Sequence, residues 1–165
     1  MAQLVVGENS FISLSEANDI MSDNYMSTSK ELTWWNGLSD NDKSVVVISA
    51  TNKLNNETLM WIGQRVDDNQ SLAFPRLDVR NGIEYDIDST FKLGILKLVI
   101  NDNETSTNEY AKLISAGVTS YKIKDCSVSF DVGTLANKNL GGFNKVGIPN
   151  DIFRTYFIKY SYLSM

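Results

Sequence analysis

Proton-transfer chemistry at neutral pH usually rests on a side chain that titrates near 7, and this chain has no histidine among its 165 residues. That removes the common general base, the commonest metal ligand and every Ser-His-Asp or Cys-His arrangement. The single Cys126 cannot form an internal disulfide or a multi-thiolate metal site. Its alternation with Val128 and Phe130 reads as a strand residue buried as a small hydrophobe. The acidic pairs Asp67-Asp68 and Asp86/Asp88 match no metal-loop spacing and read as solvated loop acids or helix caps. Gly63 and Gly141-Gly142 belong to no dinucleotide- or phosphate-binding pattern, so they read as turns. No catalytic residue, cofactor or metal is expected, and the chain is read as a non-enzyme.

One constellation could hold a ligand without chemistry. Trp34, Trp35, Trp61 and Phe74 accompany Arg65 and Arg76, and aromatics interleaved with arginine stack the bases of single-stranded nucleic acid. The charge balance opposes it: net charge is −5 and the pI about 4.7, whereas nucleic-acid affinity rests mainly on Lys and Arg contacts to phosphate. Aromatics at loop–helix junctions more often fill core. Trp61, Phe74 and Pro75 are therefore expected to be structural anchors, with Pro75 fixing a loop whose irregular backbone needs apolar staples.

The elements that must position these residues follow from periodicity. Ser13 and Glu16 have capping-box spacing, and Leu14, Ala17 and Met21 recur at helical intervals, which predicts a helix to about Met26. Lys30 to Asn36 fits one short helical turn carrying Trp34 and Trp35. Ser39 precedes an acidic first turn and the stripe Val47, Ala50, Thr51, Leu54, which predicts a further helix, although the three consecutive valines also fit a short buried strand. The breakers Gly63, Asp67-Asp68-Asn69, Pro75 and Asn81-Gly82 make Trp61 to Tyr85 an ordered loop. Asp88-Ser89-Thr90 opens a helix that is apolar around most of its circumference from Phe91 to Ile100 and so buried on several sides. Asn101 to Asn108 reads as a polar break and Glu109 to Ser115 as a short helix. Period-two alternation through Thr119, Tyr121, Ile123 and then Cys126, Val128, Phe130, Val132 predicts a β-hairpin over about 118–132.

The predicted fold class is mainly α: a small helical bundle with one β-hairpin and a C-terminal extension. Residues 1–133 form the body, and 134–165 a flexible linker followed by an aromatic segment. The linker to Gly147 is rich in Asn and Gly, and Pro149 suits the first turn of a helix. Ile152, Phe153, Tyr156, Phe157, Tyr160, Tyr162 and Leu163 then form an apolar stripe with two readings, a helix folded back on the body's core or an arm that docks into a partner's groove. The tether favours the arm, so these seven are the candidate partner-binding residues. Hydrophobic residues at 42% and charged residues at 21% are the usage of a folded domain. Apolar runs such as Leu93 to Ile100 fall well short of the ~18–20 residues a membrane span needs, and the N-terminus lacks a basic region followed by an apolar stretch. The expectation is a cytosolic chain without membrane contact.

The segments also stand in a recognisable order. Phe11-Ile12-Ser13-Leu14-Ser15-Glu16-Ala17-Asn18 is followed by Trp34-Trp35, then by Leu38-Ser39-Asp40-Asn41-Asp42-Lys43 with Ala50-Thr51 and Leu54. Next come Trp61-Ile62-Gly63-Gln64-Arg65, Gln70-Ser71-Leu72-Ala73-Phe74-Pro75-Arg76, the helix from Phe91 to Ile100, and Val128-Ser129-Phe130. Over roughly residues 10 to 132 this resembles the head-to-tail adaptor family of tailed bacteriophages, whose members are often labelled DnaT-like single-stranded-DNA-binding proteins. The stretch Trp61 to Arg76 is the most specific part. Two features depart from the family pattern: Gly94, where alanine-rich packing is usual, and the C-terminal 30 residues beyond the shared region.

The resemblance implies a helical subunit assembled head-to-tail into a ring, typically twelve-fold, below the portal. Its partners would be the portal protein, neighbouring adaptor subunits and tail or neck proteins, with DNA only passing through the channel. The place implied is the virion neck, assembled in the host cytoplasm. An acidic channel that lets DNA pass without holding it fits this role, and contacts that close after a fixed rotation suit a ring. The alternative is a replication-type single-stranded-DNA-binding protein. A small hydrolase is disfavoured by the missing histidine and metal motif.

Overall fold

Three serines start the first three helices. Ser13 Oγ accepts the Glu16 N–H while the Glu16 carboxylate accepts the Ser13 N–H, a closed capping box, and α1 runs over Leu14–Asn24. Ser29 caps α2, Lys30–Gly37, by accepting the Leu32 N–H. Ser39 caps α3, Asp40–Leu54, by accepting the Asp42 N–H. Each cap satisfies a backbone donor that the first turn leaves without a helical partner. The valines at 45–47 thus lie within a helix, and α2 is longer than the single turn expected. The computed structural model describes residues 2–55, 61–107, 120–123, 126–129, 150–153 and 156.

Between α3 and the next helix lies a small antiparallel sheet rather than the expected loop. Its strands are β1, Gln64–Arg65, β2, Arg76–Asp78, and β3, Ile83–Tyr85, in the order β1-β2-β3. The register pairs Gln64 with Leu77, Arg65 with Arg76, and Arg76 with Tyr85. Strands of two and three residues carry no readable alternation, which is why the breakers dominated the sequence pattern.

α4, Ser89–Thr107, begins where the Asp88 carboxylate accepts the Phe91 N–H. It continues through the polar stretch from Asn101 that was expected to break it. Tertiary partners hold that stretch: Lys53 of α3 pairs with Asp102, and Lys30 of α2 with Glu104. Lys92, near the other end of α4, pairs with Glu16 of α1 at 2.6 Å. Such half-exposed pairs contribute about 0–1 kcal/mol each, so their main effect is on helix orientation. Stability comes from burial. Phe91, Ile95, Leu96, Leu98 and Val99 of α4 are at most 2% exposed and pack among Phe11, Ile12, Met21, Trp35, Val47 and Leu54.

A hairpin follows, β4, Ser120–Ile123, with β5, Cys126–Ser129, pairing Tyr121 with Val128 and Ile123 with Cys126. A short helix, α5, Asn150–Phe153, comes last. The fold is therefore mainly α with a three-stranded sheet and a small hairpin. The expected helix over Glu109 to Ser115, the linker over 134–147 and the body's boundary at 133 lie outside the described residues. Among the described residues no helix is long and apolar enough to cross a membrane.

Candidate functional site

The residues with the greatest capacity to bind something converge on one aromatic cluster. Phe91, at the start of α4, meets Phe74 at 4.7 Å between ring centroids, Phe153 and Tyr156 at 5.1 Å, and Phe11 at 5.2 Å. Trp61 lies edge-on to Phe74 at 5.1 Å and to Phe153 at 6.3 Å. Most of these pairs are edge-to-face, the arrangement ring quadrupoles favour. All six rings are at most 5% exposed. The Trp61 indole N–H donates to the Leu54 carbonyl, closing the end of α3.

The segment from Trp61 to Arg76 wires itself together around this cluster. Gly63 has φ +70°, and a Cβ there would lie 2.5 Å from the Leu77 carbonyl oxygen, so β2 crosses against a position only glycine can occupy. Arg76 spends its guanidinium on three backbone carbonyls, those of Ile62, Gly63 and Ala73, at 3.0, 2.6 and 3.2 Å. Burial, and then the charge of the neighbouring Arg65, lower its pKa. Arg65 donates to the Gln70 carbonyl. The Gln70 amide donates to the carbonyls of Leu72 and Pro75, while its oxygen accepts the Asp67 N–H. Leu72, Ala73 and Phe74 are buried, Pro75 is half-buried, and the Phe74-Pro75 peptide is cis.

The other candidates are occupied in similar ways. Trp35 is buried and donates its indole N–H to Asn18 Oδ1, which also accepts from the Lys43 ammonium; that ammonium lies 5.4 Å from the Trp35 ring centroid. Trp34 is half-buried beside it. Asp67 accepts the Asn69 N–H, Asp86 the Ile87 N–H, and Asp88 caps α4. Among the described residues no group of three or more His, Cys, Asp or Glu is gathered as a metal would require.

The C-terminal stripe is placed differently from the docking arm expected of it. Ile152, Phe153 and Tyr156 are 9%, 0% and 5% exposed and belong to the chain's own core. Those three side chains present nothing outward, because the rings of Trp61, Phe74 and Phe91 already cover them. Phe157, Tyr160, Tyr162 and Leu163 lie outside the described residues. Tyr156 is anchored at both ends of the residue: its carbonyl accepts the Ile62 N–H at 2.8 Å, and burial together with a hydroxyl bond to the Asp88 carboxylate raises its pKa. Gly94 explains the fit. A Cβ at Gly94 would lie 2.5 Å from Phe153 Cζ and 2.8 Å from Ile152 Cγ2, so the missing side chain in α4 is the space these two occupy.

Sequence reading overlooked the structural use of Gln70, Arg76 and Gly94. A glycine inside a helix costs about 1 kcal/mol against alanine unless packing requires it, and that anomaly was the available signal. No curated protein matches the chain, and no solved structure does. Residues 2–125 match the model of the family described as "Putative DnaT-like ssDNA binding protein". The match ends before α5 and Tyr156, which pack into the matched body. Since it spans well over half of the 165 residues, the chain belongs to this DnaT-like family.

Proposed function

We propose that the chain is a structural virion subunit, a head–tail adaptor that forms a ring below the portal, extends the DNA channel and offers a platform to tail or neck proteins. Its expected place is the neck of the particle, and the role needs no catalysis. The observation that carries this reading is the use made of the family's signature residues. The rings of Trp61 and Phe74 are buried, and Arg76 is committed to three backbone carbonyls, so the stretch that could have stacked bases is spent on folding. The net charge of −5 agrees with a wall that passes DNA without retaining it.

The family's description favours a second reading, binding of single-stranded DNA. For that reading the half-buried Trp34 is the described tryptophan best placed to meet a base. Titrating the tryptophan fluorescence of the purified chain with single-stranded oligonucleotides at physiological salt separates the two. The adaptor reading expects binding no tighter than the micromolar range, and a sub-micromolar Kd that weakens on Trp34→Ala would replace it with the second.

A further inference from the structure

We infer that the contact between Gly94 and the Ile152-Phe153-Tyr156 segment is the joint between subunits: in the assembled ring, the segment of one copy fills the Gly94 gap of the next. This rests on the ring reading above. A ring built from identical subunits needs a projection and a matching recess on different parts of the same chain. The chain has such a pair. The recess is the α4 surface left open by Gly94, floored by Phe91 and flanked by Trp61, with the Ile62 N–H and the Asp88 carboxylate as polar ends. The projection is Ile152, Phe153 and Tyr156, which enter the recess as one short piece of chain.

Everything the segment contributes lies within five residues, so the same bonds form whether it belongs to the same chain or to a second copy. Covalent reach permits the second copy. Twenty residues separate Ser129 from Asn150, a contour of up to about 70 Å, against a radius of gyration of roughly 15 Å for a compact domain of this length. Exchange of an identical element creates an interface without needing a new surface, and holding neighbours together raises the effective concentration of the foreign segment to that of the native one.

Cross-linking tests this directly in full-length chains. A Cβ at position 94 lies 2.8 Å from Ile152 Cγ2, so the two β-carbons are no further apart than a disulfide spans. With Cys126→Ser removing the native thiol, a Gly94→Cys chain and an Ile152→Cys chain carrying tags of different mass are refolded together and oxidised. The expected product is a heterodisulfide whose yield rises with total concentration. Its absence, while a doubly substituted G94C/I152C chain closes on itself, would overturn the inference; so would failure of both to close, because the gap would then not hold the segment. Light scattering on the unsubstituted chain separates this from the ring reading. Rings with only intramolecular closure leave the ring standing and remove the exchange, and monomers without the heterodisulfide remove both.

Discussion

Replacing Gly94 by alanine sets two effects of known size against each other. In a solvated helix the change stabilises by about 1 kcal/mol, because glycine loses more backbone freedom on folding. In α4 the added methyl would lie 2.5 and 2.8 Å from Cζ and Cε2 of Phe153 and 2.8 Å from Ile152 Cγ2. Phe153 cannot step aside, since its ring is fully buried against Phe91 and Trp61. Overpacking of a tight core costs about 1–3 kcal/mol, so Gly94→Ala should lower stability by a net ~0–2 kcal/mol. The decisive measurement is a double-mutant cycle with Phe153→Ala, read as urea midpoints at constant slope. Removing the ring removes two of the three close contacts, and in that background Gly94→Ala should become neutral or stabilising. A Gly94→Ala chain that gains the full ~1 kcal/mol while Phe153 is present would refute the assignment of Gly94 as the space for Phe153.

Two further outcomes follow from the same geometry. The Glu16 carboxyl is held at about 2, first by the Lys92 ammonium and then by the Ser13 N–H, so its stabilising effect is present above its ordinary value near 4.5 and is lost as pH falls from there towards 2. The group is largely solvated, so the loss is about 0.5–1 kcal/mol; Glu16→Gln should flatten the acid side of the melting-temperature profile, and an unchanged profile would show that the pair with Lys92 does not form. Arg76→Lys cannot serve carbonyls of Ile62, Gly63 and Ala73 with one planar fork, and should destabilise by about 2–3 kcal/mol in thermal or urea unfolding, the scale of losing bonds from a charged donor. A variant of parental stability with weakened oligonucleotide binding would instead put Arg76 on a nucleic-acid surface.

The sequence by itself determined the helical elements and their starts, because caps and apolar periodicity act within a few residues: Ser13 with Glu16, Ser39 with its acidic turn, and Asp88 all begin helices where their spacing says. The hairpin over Ser120 to Ser129 was legible for the same reason, its alternation being local. Tertiary structure alone decided three things. It made a sheet of Trp61 to Tyr85, since strands of two and three residues are fixed by Gly63 meeting β2 and by the Arg76 fork rather than by any period. It carried α4 past Asn101, since Lys53 and Lys30 reach it from other helices. It also joined the two oddities of the sequence, a glycine inside a helix and an aromatic tail far along the chain, into one contact. Complementarity between residues 94 and 153 is a matter of shape across 59 positions, and no periodicity carries information over that distance.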